Sequence, residues 1–545
     1  MSQPGKKGRA PLFITLGALP MALVVLSIIF RFHSGPFWIW HHVDPSYFYL
    51  LNGLMLGMGE TPADVFHPGT PVHTLVAFIL RLGSPFASGD ELARLVLQEP
   101  ESFLKRISTI ILFMNFAGLF YLGLSAFRAF EGALLPALVA QTSPFFTMFI
   151  LKQAYQVKPE PFLLLAASLL GALLFKAIER RETGLGRLPI AFGVVVGFGT
   201  ASKLLFAPLA VVPLFILGLR KETGVYVLSG LIAFLFFLLP AFGNWDVSLS
   251  YFTRMAAGSG AYGSGAATVV DLASYPANLL KVFAGKLLFD LVLLCSLAAL
   301  VLRWKQGLER SLSWRALEGL VLAQLLLALL VAKHPIAYYM LAAVSLTGIQ
   351  AALLLVLGEG LFGKPSWWRP AWMAALILIG MSRIISFLSD DSERLEWRRY
   401  AMALGTGPYE SCTQVYFDFA SHPPYALYMG DMMAGWRFAP LLAEMYPAKN
   451  QVFMNFFTKE PRRWSEKIDL QAEIAKRPCT VLRGAWEHQM RAYLAEHAPA
   501  AKITSQCAAG QEQLLTIGVE ANCWTQDPDP KMRDKALMKP LSGMN

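Results

Sequence analysis

Charge is scarce in this sequence. Of 545 residues, 15% are Asp, Glu, Lys or Arg and 55% are apolar, with a mean hydropathy of +0.47. Soluble domains carry about a quarter charged residues. The three or four soluble domains that the length alone would allow are therefore excluded. Abundant Leu, Phe, Val and Ile likewise exclude a disordered chain. There is no Walker-type loop, no GxGxxG fingerprint and no CxxC pair, which excludes a cytoplasmic nucleotide-hydrolysing motor. No small-residue cleavage site follows the first apolar run, LPMALVVLSIIFRFHSGPFW, so that run is expected to stay as an anchor.

What remains is a polytopic membrane protein. A spanning helix needs about 20 apolar residues, and eleven runs qualify: 12–30, 106–127, 133–150, 160–177, 188–202, 204–219, 224–242, 284–302, 316–332, 336–357 and 370–388. Peptide groups in lipid must be satisfied within their own segment, so each run is read as a helix. The junction of the fifth and sixth runs falls at Lys203.

The net charge of +10 does not indicate nucleic acid, because the excess lies largely in short loops between runs. Lys6, Lys7 and Arg9 precede the first run and are placed in the cytoplasm. Counting onward puts ERRETGLGR (179–187), RKE (220–222), RWKQGLERSLSWR (303–315) and KPSWWR (364–369) on the same side, and all are basic. An odd number of crossings leaves the C-terminal region outside. Cysteine usage leads there independently. Cys295 lies in a run, whereas Cys412, Cys479, Cys507 and Cys523 all lie in the polar tail. An even set fits an oxidising compartment, with three pairings open.

Three regions outside the membrane follow. Residues 31–105 contain two apolar stretches, 46–58 and 73–82, of a length suited to helices lying at the interface. Residues 243–283 are rich in Gly and Ser and read as a mobile loop or lid. Residues 390–545 alternate short strand-like segments (CTQVYFDFA, QVFMNFF, CTVLRGA, EQLLTIGV) with helical ones such as LQAEIAKR, the pattern of a small α/β domain. The expected fold is thus an all-α membrane bundle over 1–389, carrying an extracytoplasmic α/β domain over 390–545.

Asp44 stands shortly after the first run in HHVDPSYFYLLNGL. It can serve as a general base for an acceptor hydroxyl or as the N-cap of the next helix, with Pro45 at the first helical position; both can hold at once. HPGTPVH (67–73) offers His67, Thr70 and His73 on a backbone fixed by two prolines and a glycine, or simply a rigid turn. His67 and His73 lack a metal-ligand spacing, so no metal site is read. A divalent cation among Asp44, Asp64, Glu160 and His67 stays open, should the fold gather them. Lys152, Lys158, Lys203 and Lys333 sit at outer ends of runs, against the positive-inside trend. Any one of them could snorkel to the interface, but four together suit an anionic lipid headgroup. Glu160 is either a partner for Lys158 or a second acid.

These residues, in this order, resemble the GT-C glycosyltransferases, and within them the protein O-mannosyltransferase and aminoarabinose-transferase-like membrane enzymes. Asp44 stands at the acidic position of the class, and HPGTP (67–71) at its His/Lys-Pro-Pro-Leu turn. LKRIS (104–108), YQVKPEPFLLL (155–165), GVVVGFGTASKLL (193–205) and KHPIAYYML (333–341) resemble later family segments. The likeness covers about 12–390. A single Asp replaces the common Asp-Glu, and Gly-Thr replaces Pro-Leu in the turn.

The resemblance implies transfer of a sugar from a polyprenyl-phosphate donor to an acceptor hydroxyl on a lipid, glycan or protein, outside a bacterial inner membrane and with inversion. Asp44 would be the base, with Glu160 or Asp64 as a second acid. Lys203, Lys333 and Lys152 or Lys158 would hold the phosphate, and His67, Thr70, His73, Tyr47 and His334 would position the substrates. The competing reading is a flippase or exporter of lipid-linked sugars. Against it, the sequence has no half-to-half match and no charge in the middle of a run.

Overall fold

In the computed structural model, the described residues are 6–40, 45–66, 69–180, 185–217, 221–258, 268–362, 368–404, 409–455, 457–509 and 512–520. Among them, eight helical stretches are long and apolar enough to cross a membrane: Pro11–Ser34, Pro100–Ala129, Glu160–Glu179, Lys221–Ala257, Leu287–Gln306, Leu312–Val331, Ala337–Phe362 and Arg369–Met402. They account for eight of the eleven apolar runs. The other three are helical but short or broken, and each interruption has a local cause.

Residues 133–150 form Leu134–Ala140, a 3-10 turn at Ser143–Phe145 that contains Pro144, and Met148–Gln153. Beside this break the Gln141 amide donates to the carbonyls of Leu16 (3.0 Å) and Leu119 (2.9 Å) on neighbouring helices. The fifth and sixth runs form Leu188–Ser202, a 3-10 stretch Leu204–Ala210 and Val211–Leu217. Pro208 has no N–H to close the helix there.

The chain folds into two compact units. One comprises residues 1–29, 65–74 and 107–388, and the other 30–64, 75–106 and 389–545. In the first, the Leu188–Ser202 helix packs against Lys221–Leu238 through Gly193 and Gly197. A Cβ on Gly193 would come within 2.6 Å of Tyr226 O and Gly230 N, and one on Gly197 within 2.7 Å of Gly230 O. Two glycines four apart let the backbones touch, the small-residue device of membrane helices. Within 243–283, Trp245–Ala257 and Tyr275–Phe283 are helices. Within the same unit, the Ser248 hydroxyl donates to Val65 O at 2.6 Å.

The second unit joins residues 30–64 and 75–106 to the tail. The reason is a set of polar contacts: Arg437 bonds Glu60 through both Nε and Nη2 (2.7 Å), Arg94 is bidentate to Glu444 (2.8 and 3.0 Å), and Asn52 Nδ2 donates to Met433 O (3.2 Å). The two apolar stretches of this region are helices, Ser46–Gly57 and Thr70–Gly83, and a third, Gly89–Gln98, is opened by a reciprocal Ser88/Glu91 capping box.

The tail is a seven-stranded sheet: β1 Thr413–Tyr416, β2 Gln451–Phe453, β3 Arg462–Arg463, β4 Glu466–Lys467, β5 Thr480–Gly484, β6 Ser505–Ala509 and β7 Glu512–Ile517, in the order β4-β3-β2-β1-β5-β7-β6. β2, β1 and β5 are parallel and the remaining pairs antiparallel. Val415, Val452, Leu482 and Leu515 pack with Met490 and Leu494 of the Glu487–His497 helix to form its core. Cys412 and Cys479 form a disulfide across 67 residues at the starts of β1 and β5, and Cys507 is also disulfide-bonded. Cys523 lies outside the described residues.

Asp431 is fully buried, with Oδ1 accepting the Phe438 N–H at 2.7 Å. Burial pushes its carboxyl up to about 7. The native state then keeps a proton that the unfolded chain loses above about pH 4. Stability should therefore fall as pH rises from about 4 to about 7 and level off beyond. Asp431→Asn should flatten that part of the profile, read by denaturant-dependent proteolysis of the tail in the full chain. Replacing Cys412 and Cys479 together with Ser should lower the tail's stability by about 2–4 kcal/mol in the same assay.

Candidate functional site

In the membrane unit the polar residues converge on a helix interruption. Glu160 opens the Glu160–Glu179 helix directly after Pro159, where unpaired first-turn N–H groups and the helix dipole favour a carboxylate. Lys203 follows the end of Leu188–Ser202 with an extended backbone (φ −160°, ψ 130°), so its side chain leaves the helix at the break. Lys203 Nζ meets Glu160 Oε1 at 2.6 Å, with the two side chains only 6% and 2% exposed. The ammonium also lies 5.2 Å from the ring centre of Tyr338 and 5.3 Å from that of Tyr339. These rings stand edge to face at 4.8 Å, on the 3-10 stretch Ala337–Met340.

Removing two charges from water costs several kcal/mol each, and a pair recovers this only with good geometry and further partners. The aromatic faces supply part of that compensation. An ionisable pair inside an apolar bundle is a functional-site hypothesis by default.

The other sequence candidates are distributed. Lys158 is buried, two residues before Glu160, and Lys152 is half-buried on Met148–Gln153. Thr70 and His73 are both fully buried, three residues apart on one helix face. Lys333 Nζ donates to the carbonyls of Met255 (2.6 Å) and Ala256 (2.8 Å), at the C-terminal end of Trp245–Ala257 where the helix dipole favours a cation. Burial and the adjacent Lys333 hold the His334 imidazole below its ordinary range, so it is neutral at pH 7.

In the second unit, Tyr47 is buried and donates to Glu101 at 3.0 Å. Burial first, and Glu101 second, push its hydroxyl well above the usual range, so it remains a donor. Asp64 is nearly buried, and its backbone N–H donates to Asn52 Oδ1 at 2.8 Å. Asp44 and His67 lie outside the described residues. No group of three or more His, Cys, Asp or Glu suited to a metal occurs among the described residues.

Sequence reasoning singled out neither Tyr338 and Tyr339 as companions of Lys203 nor Glu101 and the Arg483–Glu512 pair of the tail. The tyrosines carried a signal, two adjacent aromatics after His334-Pro335 at the head of an apolar run. Glu101 carried only the Pro-Glu of an ordinary helix start.

The fold defines a multi-pass membrane protein with an α/β domain. No family model matches the chain, and no curated protein does. Two solved structures are similar in the course of the chain. A crystal structure of ArnT from Cupriavidus metallidurans bound to undecaprenyl phosphate is 12% identical, covers 94% of this chain and 99% of that one, and superposes with a TM-score of 0.43. The crystal structure of the same protein in the apo state is 12% identical, covers 95% and 99%, and has a TM-score of 0.42. At this identity and overlap these are likenesses only, and no residue role follows from them.

Breaking the buried pair on one side should be costly. Glu160→Gln or Lys203→Met alone should destabilise the membrane unit by about 3–5 kcal/mol, whereas Glu160→Leu with Lys203→Met should recover most of that loss. Thermal unfolding in detergent micelles would show it, and equal losses for single and double variants would contradict it.

Proposed function

We propose that this protein is a glycosyltransferase of a bacterial inner membrane, moving a sugar from a polyprenyl-phosphate donor to an acceptor hydroxyl on the outer face. The observation that carries the reading is the buried Lys203–Glu160 pair at a helix break. Glu160 supplies the opposite charge that a buried ammonium needs in an apolar bundle. Lys203 is thereby stored as a cation that a lipid phosphate can engage, and Lys158 adds a second buried positive group beside it.

The acceptor oxygen attacks the anomeric carbon as the bond from that carbon to the phosphate oxygen breaks. Asp44 takes the hydroxyl proton, the configuration inverts, and the polyprenyl phosphate leaves with its charge set against Lys203. Confinement of both substrates to the membrane supplies proximity. The N-terminus is placed in the cytoplasm and the α/β domain outside. The Cys412–Cys479 disulfide supports the latter, because such bonds persist in oxidising compartments.

A second reading has one observation in its favour. Transporters build binding sites at interrupted helices, and this chain interrupts its helices at 141–147 and 203–210. The two readings differ in bond cleavage. Purified protein in nanodiscs, given radiolabelled polyprenyl-phosphate sugars and a cell-envelope extract, should transfer label. Asp44→Asn should lower that rate roughly 10²–10⁴-fold while the protein stays folded and binds donor. Movement of intact donor across proteoliposomes, with no label transferred, would establish the transporter instead. Transfer that survives in Asp44→Asn would remove Asp44 from the mechanism.

A further inference from the structure

A pocket of about 330 Å³ opens in the second unit, with a wall rich in flat rings and poor in donors. Trp38, Tyr47 and Tyr446 supply the rings, and Glu99 and Glu101 supply carboxylates. Among the described residues, no lysine, arginine or histidine lines it. Several of its polar hydrogens are already engaged. The Trp38 N–H and the Tyr47 hydroxyl both donate to Glu101 Oε1 at 3.0 Å, and the Tyr446 hydroxyl donates to Leu97 O at 2.7 Å.

Two helix starts also meet this wall, where free N–H groups would ordinarily draw an anion. Both are opened by proline, which has no N–H to offer. Pro100 begins Pro100–Ala129, and Pro423 and Pro424 begin Pro423–Met433. A helix end of the opposite sign is present as well. Glu99 is exposed and stands at the C-cap of Gly89–Gln98, where the helix dipole favours a cation. Arg31, which acts on Tyr47 through its charge, lies 3.6 Å from the Phe37 ring centre and is not part of the wall.

The rings are held in place from behind. Glu101 Oε2 accepts the Phe37 N–H at 2.9 Å, so one carboxylate fixes Phe37, Trp38 and Tyr47 together. Two residues on from Trp38, the Trp40 N–H donates to the Ser421 hydroxyl at 3.1 Å, just beyond β1. Ser421 is itself gripped, its N–H donating to Glu512 Oε1 (3.0 Å) and its carbonyl accepting from Arg483 Nη2 (2.7 Å). Arg483 and Glu512 form a buried ion pair across β5 and β7. The Trp40 ring is buried, edge-on to Phe419 and packed on Tyr425.

We propose that this pocket receives the guanidinium group of an arginine side chain from a partner polypeptide. A guanidinium carries five N–H donors and a flat face and accepts nothing, the complement of a wall made of acceptors and rings. Its face stacks on an aromatic ring. Its N–H edges meet Glu99 and the lone pair of Glu101 left over when three donors occupy three of about four acceptor sites. An ammonium brings the charge without the face, an anion meets two carboxylates, and a neutral ligand leaves their charge unanswered. The site uses neither Lys203 nor Asp44, and it holds whether or not the protein transfers a sugar.

The test is ligand-observed saturation-transfer NMR on the full chain in phosphatidylcholine nanodiscs, with empty nanodiscs as the blank. The probes are the N-acetyl amides of arginine, lysine and citrulline, the last having the shape of arginine without its charge. The arginine derivative is expected to bind saturably, the lysine derivative more weakly and the citrulline derivative not at all. Trp38→Leu should weaken arginine binding by about twofold to thirtyfold, the range of a cation–π contact. Glu99→Gln should weaken it by about twofold to fivefold, the range of an exposed ion pair. Glu99 is exposed, so this second variant keeps the fold should Trp38→Leu lose it. Lysine or citrulline derivatives binding as tightly as arginine would overturn the choice of a guanidinium. No saturable binding of the arginine derivative, or binding unchanged in both variants, would overturn the site.

Discussion

Hydrocarbon offers a peptide group no water to bond to, and this constraint governs the membrane unit. It makes continuous helices the default and each interruption an accounting problem. The solutions are visible one by one: the Gln141 amide covers carbonyls of Leu16 and Leu119, and the Lys333 ammonium caps the end of Trp245–Ala257. Where the chain breaks at Lys203, the lysine side chain leaves the helix and pairs with Glu160 at the start of another helix.

Much of this was legible in the sequence, for reasons that can be named. Apolar run length located eight helices because it measures the quantity that lipid selects. At 133–150 and around Lys203 the apolar runs are interrupted by 3-10 turns that contain Pro144 and Pro208, which overall hydropathy does not register. The strands of the tail were visible as short β-branched and aromatic segments, and β1, β2, β5 and β7 fall within the four stretches marked for them. Lys203 and Glu160 stood out by residue type against an apolar background. Their pairing did not, since 43 residues separate them and only tertiary packing brings the two helices together.

That residues 30–64 and 75–106 pack with the tail could not have been read from their sequence. Ser46–Gly57 is an apolar helix and Gly89–Gln98 an amphipathic one, and such a face can be covered by lipid or by protein. The deciding groups are Asn52, Glu60 and Arg94, whose partners Met433, Arg437 and Glu444 lie some 350–380 residues away. Nothing local distinguishes them from solvated surface residues. Glu101 is the sharpest instance: an acidic residue in a first helical turn has an adequate local explanation, and its three long-range donors are invisible until the fold is drawn.

The composition of the second unit from three stretches of sequence constrains how the protein can be made. Trp40 and its partner Ser421 are separated by 381 residues. At about 5–20 residues per second, the ribosome needs roughly 20–80 s to deliver the second after the first. Throughout that interval Phe37, Trp40 and Tyr47 have emerged, but the sheet that receives Trp40 does not exist. The early helices must enter the bilayer while the surface that will bury these aromatics is still untranslated. Biogenesis of this chain is thus a matter of waiting, with a sticky amino-terminal half in need of shelter until its carboxy-terminal partner has been made.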